Sequence, residues 1–321
     1  MIRFGIVGAG GIAKKFARDI ALVDDAIVTS VASSTKEKAE KYKKEYNVPY
    51  AFSSYEDMAK SDKIDAVYIA TPHSFHHDQA IMFMKHGKHV LIEKPIAVNS
   101  KQYDEMVIVA KENKVMMMEA MWTHFLPSTR FVKGLVDQGD FGKLVEAYID
   151  FGYSLLDDYP EEKRLLNPDL AGGSILDIGV YPISFYQLIS KSEMKDLDVT
   201  FEMTYTGVDS ACNIEILEEG GAEIHIRSSI KDQLPNNAEL IFEKGKIMMI
   251  DFSRSQEVFV NESRFPIPFE GEGFVHEITA FVNDIEKGYQ EDKIRNHKAA
   301  GETVKLMDKV RAIIGLKFPF E

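Results

Sequence analysis

Over the first 120 residues, short apolar runs alternate with longer stretches in which apolar side chains recur every three or four positions. The runs at 3–7, 26–32, 66–70, 89–92 and 115–120 have the length and β-branched content of strands, and 66–70 and 89–92 are apolar enough for burial on both faces. Between them, 12–22, 36–46, 76–86 and 100–113 carry helical spacing, with Asn99 and Ser100 as N-cap candidates for the last. This strand–helix alternation predicts a doubly wound α/β domain over residues 1–121. Beyond Met121 the texture changes. A helix at 128–138 and a strand at 144–151 precede a long stretch, 197–260, of period-two patterning. Turn signals break that stretch at Gly207-Val208-Asp209, Glu219-Gly220-Gly221, Pro235-Asn236-Asn237 and Lys244-Gly245-Lys246. Residues 122–321 therefore read as an α+β domain with a mainly antiparallel open sheet, and a last helix at 297–314 packs back on the first domain.

Composition narrows the classes. Apolar residues make up 45% of the 321 and charged residues 28%, too apolar for disorder. With 38 Lys and Arg against 51 Asp and Glu, the net charge of −13 repels nucleic acid and anionic membranes, and no basic stripe offsets it. No run reaches the ~18 apolar residues of a membrane span. The first thirteen residues carry no cleavage-site pattern, and the single cysteine, Cys212, has no internal disulfide partner. The expected compartment is the cytoplasm.

Gly8-Ala9-Gly10-Gly11-Ile12-Ala13 sits at the first strand–helix junction. Gly8 permits the tight turn, Gly10 and Gly11 leave the backbone open to a pyrophosphate, and Ile12 opens a helix whose free N–H groups face the phosphates. A dinucleotide site specific for NAD would place Asp or Glu at the end of the second strand. Here Ser33 and Ser34 stand there, with Lys38 behind them, a set that favours the 2′-phosphate of NADP over NAD. The plainer reading of the same segment is a helix cap on a solvated, lysine-rich helix.

Three further motifs are Thr71-Pro72-His73, Glu93-Lys94-Pro95 and the stretch from Gly172-Gly173-Ser174 through Asp177 to Tyr181. Lys94 follows a strand directly, where desolvation and a cationic nicotinamide would lower its pKa into a useful range for moving a proton. A structural alternative is a lysine paired with Glu93. Asp177 and Tyr181 are four apart and share a face if helical. A phenol needs a neighbouring cation to act as a base near neutrality, which Lys94 could supply. The plainer roles are a helix cap for Asp177 and a core aromatic for Tyr181. His73, His76 and His77 lack a second ligand cluster, so no metal is expected.

Together these motifs resemble the Gfo/Idh/MocA oxidoreductases, nearest to the dimeric dihydrodiol dehydrogenase and NADP-dependent xylose dehydrogenase branch. The resemblance runs from the glycine turn to Gly315-Leu316-Lys317-Phe318-Pro319. It implies hydride transfer between NADP and a secondary alcohol or hemiacetal of a sugar or cyclic diol. Lys94 and Tyr181 would handle the proton and Asp177 would orient the substrate. The cofactor would meet Thr71, Pro72, His73, His76, Glu93, Lys94 and Trp122, and a homodimer would form through the second domain's sheet. Tyrosine at 181 departs from the histidine of the inositol-type branch and argues against an inositol substrate; His124 stands where dihydrodiol-type members tend to carry arginine. Substrate-choosing candidates are the loop 155–167, with Lys163 and Arg164, and residues 233–237. The alternative on the same fold is an inert NAD(P)-sensing regulator or scaffold.

Overall fold

The computed structural model describes residues 1–156 and 159–321. The chain forms two compact units. The first comprises Met1–Trp122 and Glu270–Gly301, and the second Thr123–Phe269 and Glu302–Glu321.

The first unit begins β1 (Ile2–Val7), α1 (Gly11–Ile20), β2 (Ala26–Ala32), α2 (Lys36–Tyr46), β3 (Tyr50–Phe52), α3 (Tyr55–Lys60) and β4 (Ala66–Ile69). It continues with α4 (His76–Lys85), β5 (His89–Glu93), α5 (Ser100–Asn113) and β6 (Met117–Ala120). All six strands are parallel, in the order β3-β2-β1-β4-β5-β6. Phe4, Ile6, Val7, the whole of β4 and Val90–Ile92 are fully buried, as a sheet covered on both faces requires. Caps set the helix starts: Thr35 accepts from Lys38 N–H at α2, and Asn99 from Gln102 N–H at 2.9 Å at α5. The Tyr42 hydroxyl donates to Ala13 O at 2.7 Å, fixing α2 to α1. β3 and α3 have no counterpart among the elements expected from periodicity. Three and six residues are too short to show a period, and α3 is recognisable only from Ser54, which accepts from Asp57 N–H.

In the second unit, α6 (Pro127–Gln138) and β7 (Leu144–Gly152) lead to α7 (Val180–Ile189). There follow β8 (Met194–Met203), β9 (Asp209–Glu218), β10 (Glu223–Ser229), β11 (Ala238–Phe242), β12 (Gly245–Met249), β13 (Glu257–Val260) and β14 (Ser263–Pro266). The eight strands lie in the order β14-β13-β12-β11-β7-β10-β9-β8, antiparallel except where β7 meets β10. One face is buried through Ala147, Ile149, Ile214, Ile224, Ile226 and Leu240.

The chain re-enters the first unit with α8 (Val275–Glu286) and the start of α9 (His297–Ile313). Residues 270–301 lie outside the 1–121 stretch read as the first domain, and side chains hold them there. The Asp19 carboxylate accepts from the backbone N–H of Glu272 and of Phe274, and Phe281 packs on Phe4. No helix among the described residues is long and apolar enough to cross a membrane.

Candidate functional site

In the first unit the candidate residues gather at the carboxyl edge of the parallel sheet, at the point where the strand order reverses between β1 and β4. Open α/β sheets bind ligands at such switch points. Gly8 has φ +95°, and a Cβ there would lie 2.9 Å from Ala70 O and 3.0 Å from Thr71 Cγ2, so only glycine lets the ends of β1 and β4 approach. Gly10 and Gly11 instead leave open space where a Cβ would stand, in front of α1, whose N-terminus has no side-chain cap. Unused N–H groups and open backbone fit a pyrophosphate. At the end of β2, Ala9 N–H reaches Ser33 Oγ at 3.5 Å, Lys38 Nζ donates to Ser34 Oγ at 3.3 Å, and Ser34 is exposed. The cap reading of this segment holds for Thr35, while Ser33 and Ser34 stay at the strand's end without a carboxylate between them.

The loops after β4 and β5 are tied together by His76. Its Nδ1 lies 2.9 Å from Pro95 O and its Nε2 2.8 Å from Thr71 O. A neutral imidazole donates to one of these carbonyls, an imidazolium to both. Thr71 Oγ1 donates to Gln79 Oε1 at 2.7 Å, and His73 sits buried beside His76, ring centroids 5.8 Å apart. The Lys94–Pro95 peptide is cis. Glu93 accepts from the Tyr68 hydroxyl on one oxygen and from Lys94 N–H, at 3.2 Å, on the other. Two residues on, Ile96 N–H donates to Glu119 Oε1 at 2.9 Å, and Arg295 holds Glu119 Oε2 through Nε at 2.7 Å. Glu119 and Arg295 are both buried. The segment that presents Lys94 is thus clamped by two buried carboxylates. No local pattern in the sequence marks Arg295. Trp122 stacks on Phe274 at 5.4 Å and 8°, which is a packing contact. His77 meets Asp78 and Glu105 on the surface, away from the ring contacts of His73 and His76.

Glu277, on the first turn of α8, is fully buried, with no hydrogen-bond partner for either oxygen among the described residues. Burial first, then the nearby charges of Glu93, Asp19 and Glu119, hold its carboxyl well above the usual range.

Asp177 and Tyr181 lie in the second unit. Residues Ile175–Gly179 form a π-helical turn that runs into α7, so Asp177 lies in the wide turn and Tyr181 in the first turn of the α-helix. Such turns concentrate at functional sites. Asp177 is no helix cap: Arg164 grips it through two hydrogen bonds, Nη1 to Oδ1 at 2.7 Å and Nη2 to Oδ2 at 3.1 Å. Of the loop expected to choose substrate, Arg164 therefore meets a site residue, whereas residues 157 and 158 of that loop lie outside the described residues. Gly172 and Gly173 allow this approach. A Cβ on Gly172 would lie 2.5 Å from Arg164 O, and one on Gly173, at φ +107°, 2.3 Å from Asp209 Oδ1. Asp209, which the sequence presented only as part of a turn, accepts from Ile175 N–H at 2.7 Å; burial pushes its carboxyl up to about 6. Tyr181 is half-buried, its ring 5.1 Å from that of Phe151. In the 233–237 segment, Leu234 N–H and the Gln233 side chain donate to Gly152 O, and Asn236 Oδ1 accepts from Gly152 N–H, so the segment is built into the end of β7.

These features agree with what the chain matches. Residues 2–121 fit the model of an oxidoreductase family with an NAD-binding Rossmann fold, and residues 129–248 that of the GFO/IDH/MocA C-terminal domain. A scyllo-inositol 2-dehydrogenase (NADP(+)) of Bacillus subtilis is 33% identical, covering 99% of both chains. A trans-1,2-dihydrobenzene-1,2-diol dehydrogenase of Mus musculus is 29% identical over 99% of this chain and 98% of its own. Among solved structures, a variant of a 3-ketoreductase from Actinomadura kijaniata, in complex with TDP-benzene and NADP, superposes with TM-score 0.88. It is 23% identical and 97% of each chain is covered. From its glycine turn to its second sheet, the chain belongs to the Gfo/Idh/MocA oxidoreductase family.

Proposed function

We propose that this protein is an NADP-dependent oxidoreductase that moves a hydride between the cofactor and a secondary alcohol or hemiacetal carbon of a sugar, cyclitol or cyclic diol. The observation that carries this is the clamped Lys94 segment at the carboxyl edge of a sheet whose switch point offers open glycine backbone and an uncapped helix N-terminus. The donor set fits the cofactor: Gly8, Gly10, Gly11 and Ile12 take the pyrophosphate. Ser33, Ser34 and Lys38 take the 2′-phosphate, and Thr71, Pro72, His73, His76, Glu93 and Trp122 line the remainder. The relatives named for NADP support the same choice. An inositol dehydrogenase among them brings cyclitols back into the substrate class, although the tyrosine at 181 argued against inositol.

When bound, the cofactor accepts or delivers hydride at its nicotinamide. The protein's part is the proton and the orientation. Lys94 and Tyr181 take the hydroxyl proton during oxidation and return it during reduction. Asp177, held by Arg164, accepts hydrogen bonds from neighbouring substrate hydroxyls. Its ion pair fixes the carboxylate's direction before substrate arrives.

The test begins with fluorescence titration of NADPH and NADH against Trp122. Micromolar NADPH binding with much weaker NADH supports the Ser33–Ser34–Lys38 assignment, and the reverse order overturns it. Turnover is then screened with NADP on scyllo-inositol, xylose and a dihydrodiol. Full activity in both Lys94→Ala and Tyr181→Phe would remove the proton assignment.

The proposed assembly is a homodimer through the outer face of the second sheet, where Tyr148, Ile241 and Met248 lie among Glu146, Asp150, His225 and Arg227. A monomeric mass by light scattering at micromolar protein would argue against it. The proposed compartment is the cytoplasm, consistent with one buried, unpaired cysteine.

A further inference from the structure

The second unit contains a cavity of about 280 Å³. It lies just under the ~300–1,000 Å³ of drug-sized sites, so its occupant is smaller. Its floor is apolar, made by Val136, Leu144, Ile189, Ala222 and Phe242. Within this unit it is well separated from the residues assigned to substrate. β7 runs from Leu144 at the cavity to Phe151 against Tyr181, seven residues or roughly 23 Å at the rise of a strand. α7 likewise runs from Tyr181 in its first turn to Ile189 at the cavity, about 12 Å along the helix.

The polar groups at the mouth are mostly donors. Lys143 lines the cavity, and its ammonium makes no ion pair or hydrogen bond among the described residues. Lys191 donates to Val136 O at 2.6 Å and stands 3.7 Å from Asp137, leaving ammonium hydrogens to spare. Ser192 Oγ accepts from Gly220 N–H at 3.0 Å, which leaves its own hydrogen to give. Glu218 also lines the cavity, and it and the two nearby acids are hydrogen-bonded or ion-paired within the protein. Glu218 accepts from Ser190 Oγ at 2.5 Å, Asp137 pairs with Lys133 at 2.5 Å, and Glu243 accepts from Lys143 N–H at 3.0 Å. An apolar floor under spare donors selects a ligand with an apolar body and an acceptor-rich, anionic head.

We propose that this cavity is a second binding site, distinct from the substrate-binding residues, for a small carboxylate with an apolar body. The floor takes the body, and Lys143, Lys191 and Ser192 take the carboxylate.

Calorimetry with hexanoate tests this on the intact protein, with hexanol and acetate as probes lacking the charge or the body. Saturable hexanoate binding is expected, at least tenfold tighter than either control. Ala222→Phe, which fills the floor, should abolish it. Lys143→Glu, a change at an exposed position, should weaken it tenfold or more without altering the melting temperature. NADPH affinity should stay unchanged in both variants, so failure here is separable from failure of the dehydrogenase assignment. Hexanol binding as tightly as hexanoate, hexanoate binding unaffected by Lys143→Glu, or no saturable binding at tens of millimolar would each overturn the proposal.

Discussion

Replacing Arg295 by Met removes a buried cation whose partners come from β6 and from the start of α9. Its side chain gives Nε and Nη2 to Glu119 Oε2 and Nη1 to Ala299 O at 3.3 Å, and the charged pair is 1% and 0% exposed. Methionine restores most of the apolar volume, so the main loss is electrostatic. Glu119 stays buried as a carboxylate with Ile96 N–H still bonded to it. Breaking a buried pair by removing one partner costs about 3–5 kcal/mol. At roughly 2–4 °C per kcal/mol for a domain of this size, the melting temperature should fall by about 6–20 °C. The double variant Arg295→Met/Glu119→Gln discards the stranded charge and keeps the acceptor for Ile96, and should recover at least half of the loss. Because Ile96 lies two residues beyond Lys94, turnover in the single variant should fall more than NADPH affinity. Differential scanning calorimetry with steady-state kinetics reads both. A single variant within about 1 kcal/mol of wild type, or a double variant no more stable than the single, would refute the argument.

Two buried carboxyl groups and one serine give further tests. Asp284, beside Asp292, is raised to about 7 by burial and by that neighbour. Its folded value exceeds the unfolded one, so the folded form binds the extra proton and wild-type stability falls as pH rises from about 4 to 7. Asp284→Asn should therefore be more stable than wild type at pH 8, with the gain vanishing near pH 4 in melts across that range; a pH-independent difference would contradict this. Glu277 follows the same sign, and Glu277→Gln should match wild type in acid and exceed it in alkaline melts, since only the carboxyl can ionise there. Ser34→Asp places a carboxylate where the 2′-phosphate is assigned, at a position whose native Oγ lies 3.3 Å from Lys38 Nζ. The ratio of kcat/KM for NADPH over NADH should drop at least tenfold, about 1.4 kcal/mol, and an unchanged ratio would relocate the specificity pocket.

Much of the first unit was legible because its determinants are local. The spans of β2 and α2 match the patterned stretches residue for residue, and Asn99 caps α5 as its side chain allows. The glycine turn lies where the strand ends, since a positive φ at Gly8 and open backbone at Gly10 are written in residue type. What the sequence did not determine is how distant segments complete one another. Arg164 meets Asp177 across thirteen residues and a pair of glycines, Asp209 holds the π turn from another strand, and Arg295 reaches Glu119 over an interval of 176 residues. Periodicity and capping energies act within a turn or two of chain. A buried ion pair depends on which surfaces the fold brings together and how completely it dries them, and only the tertiary structure decides that.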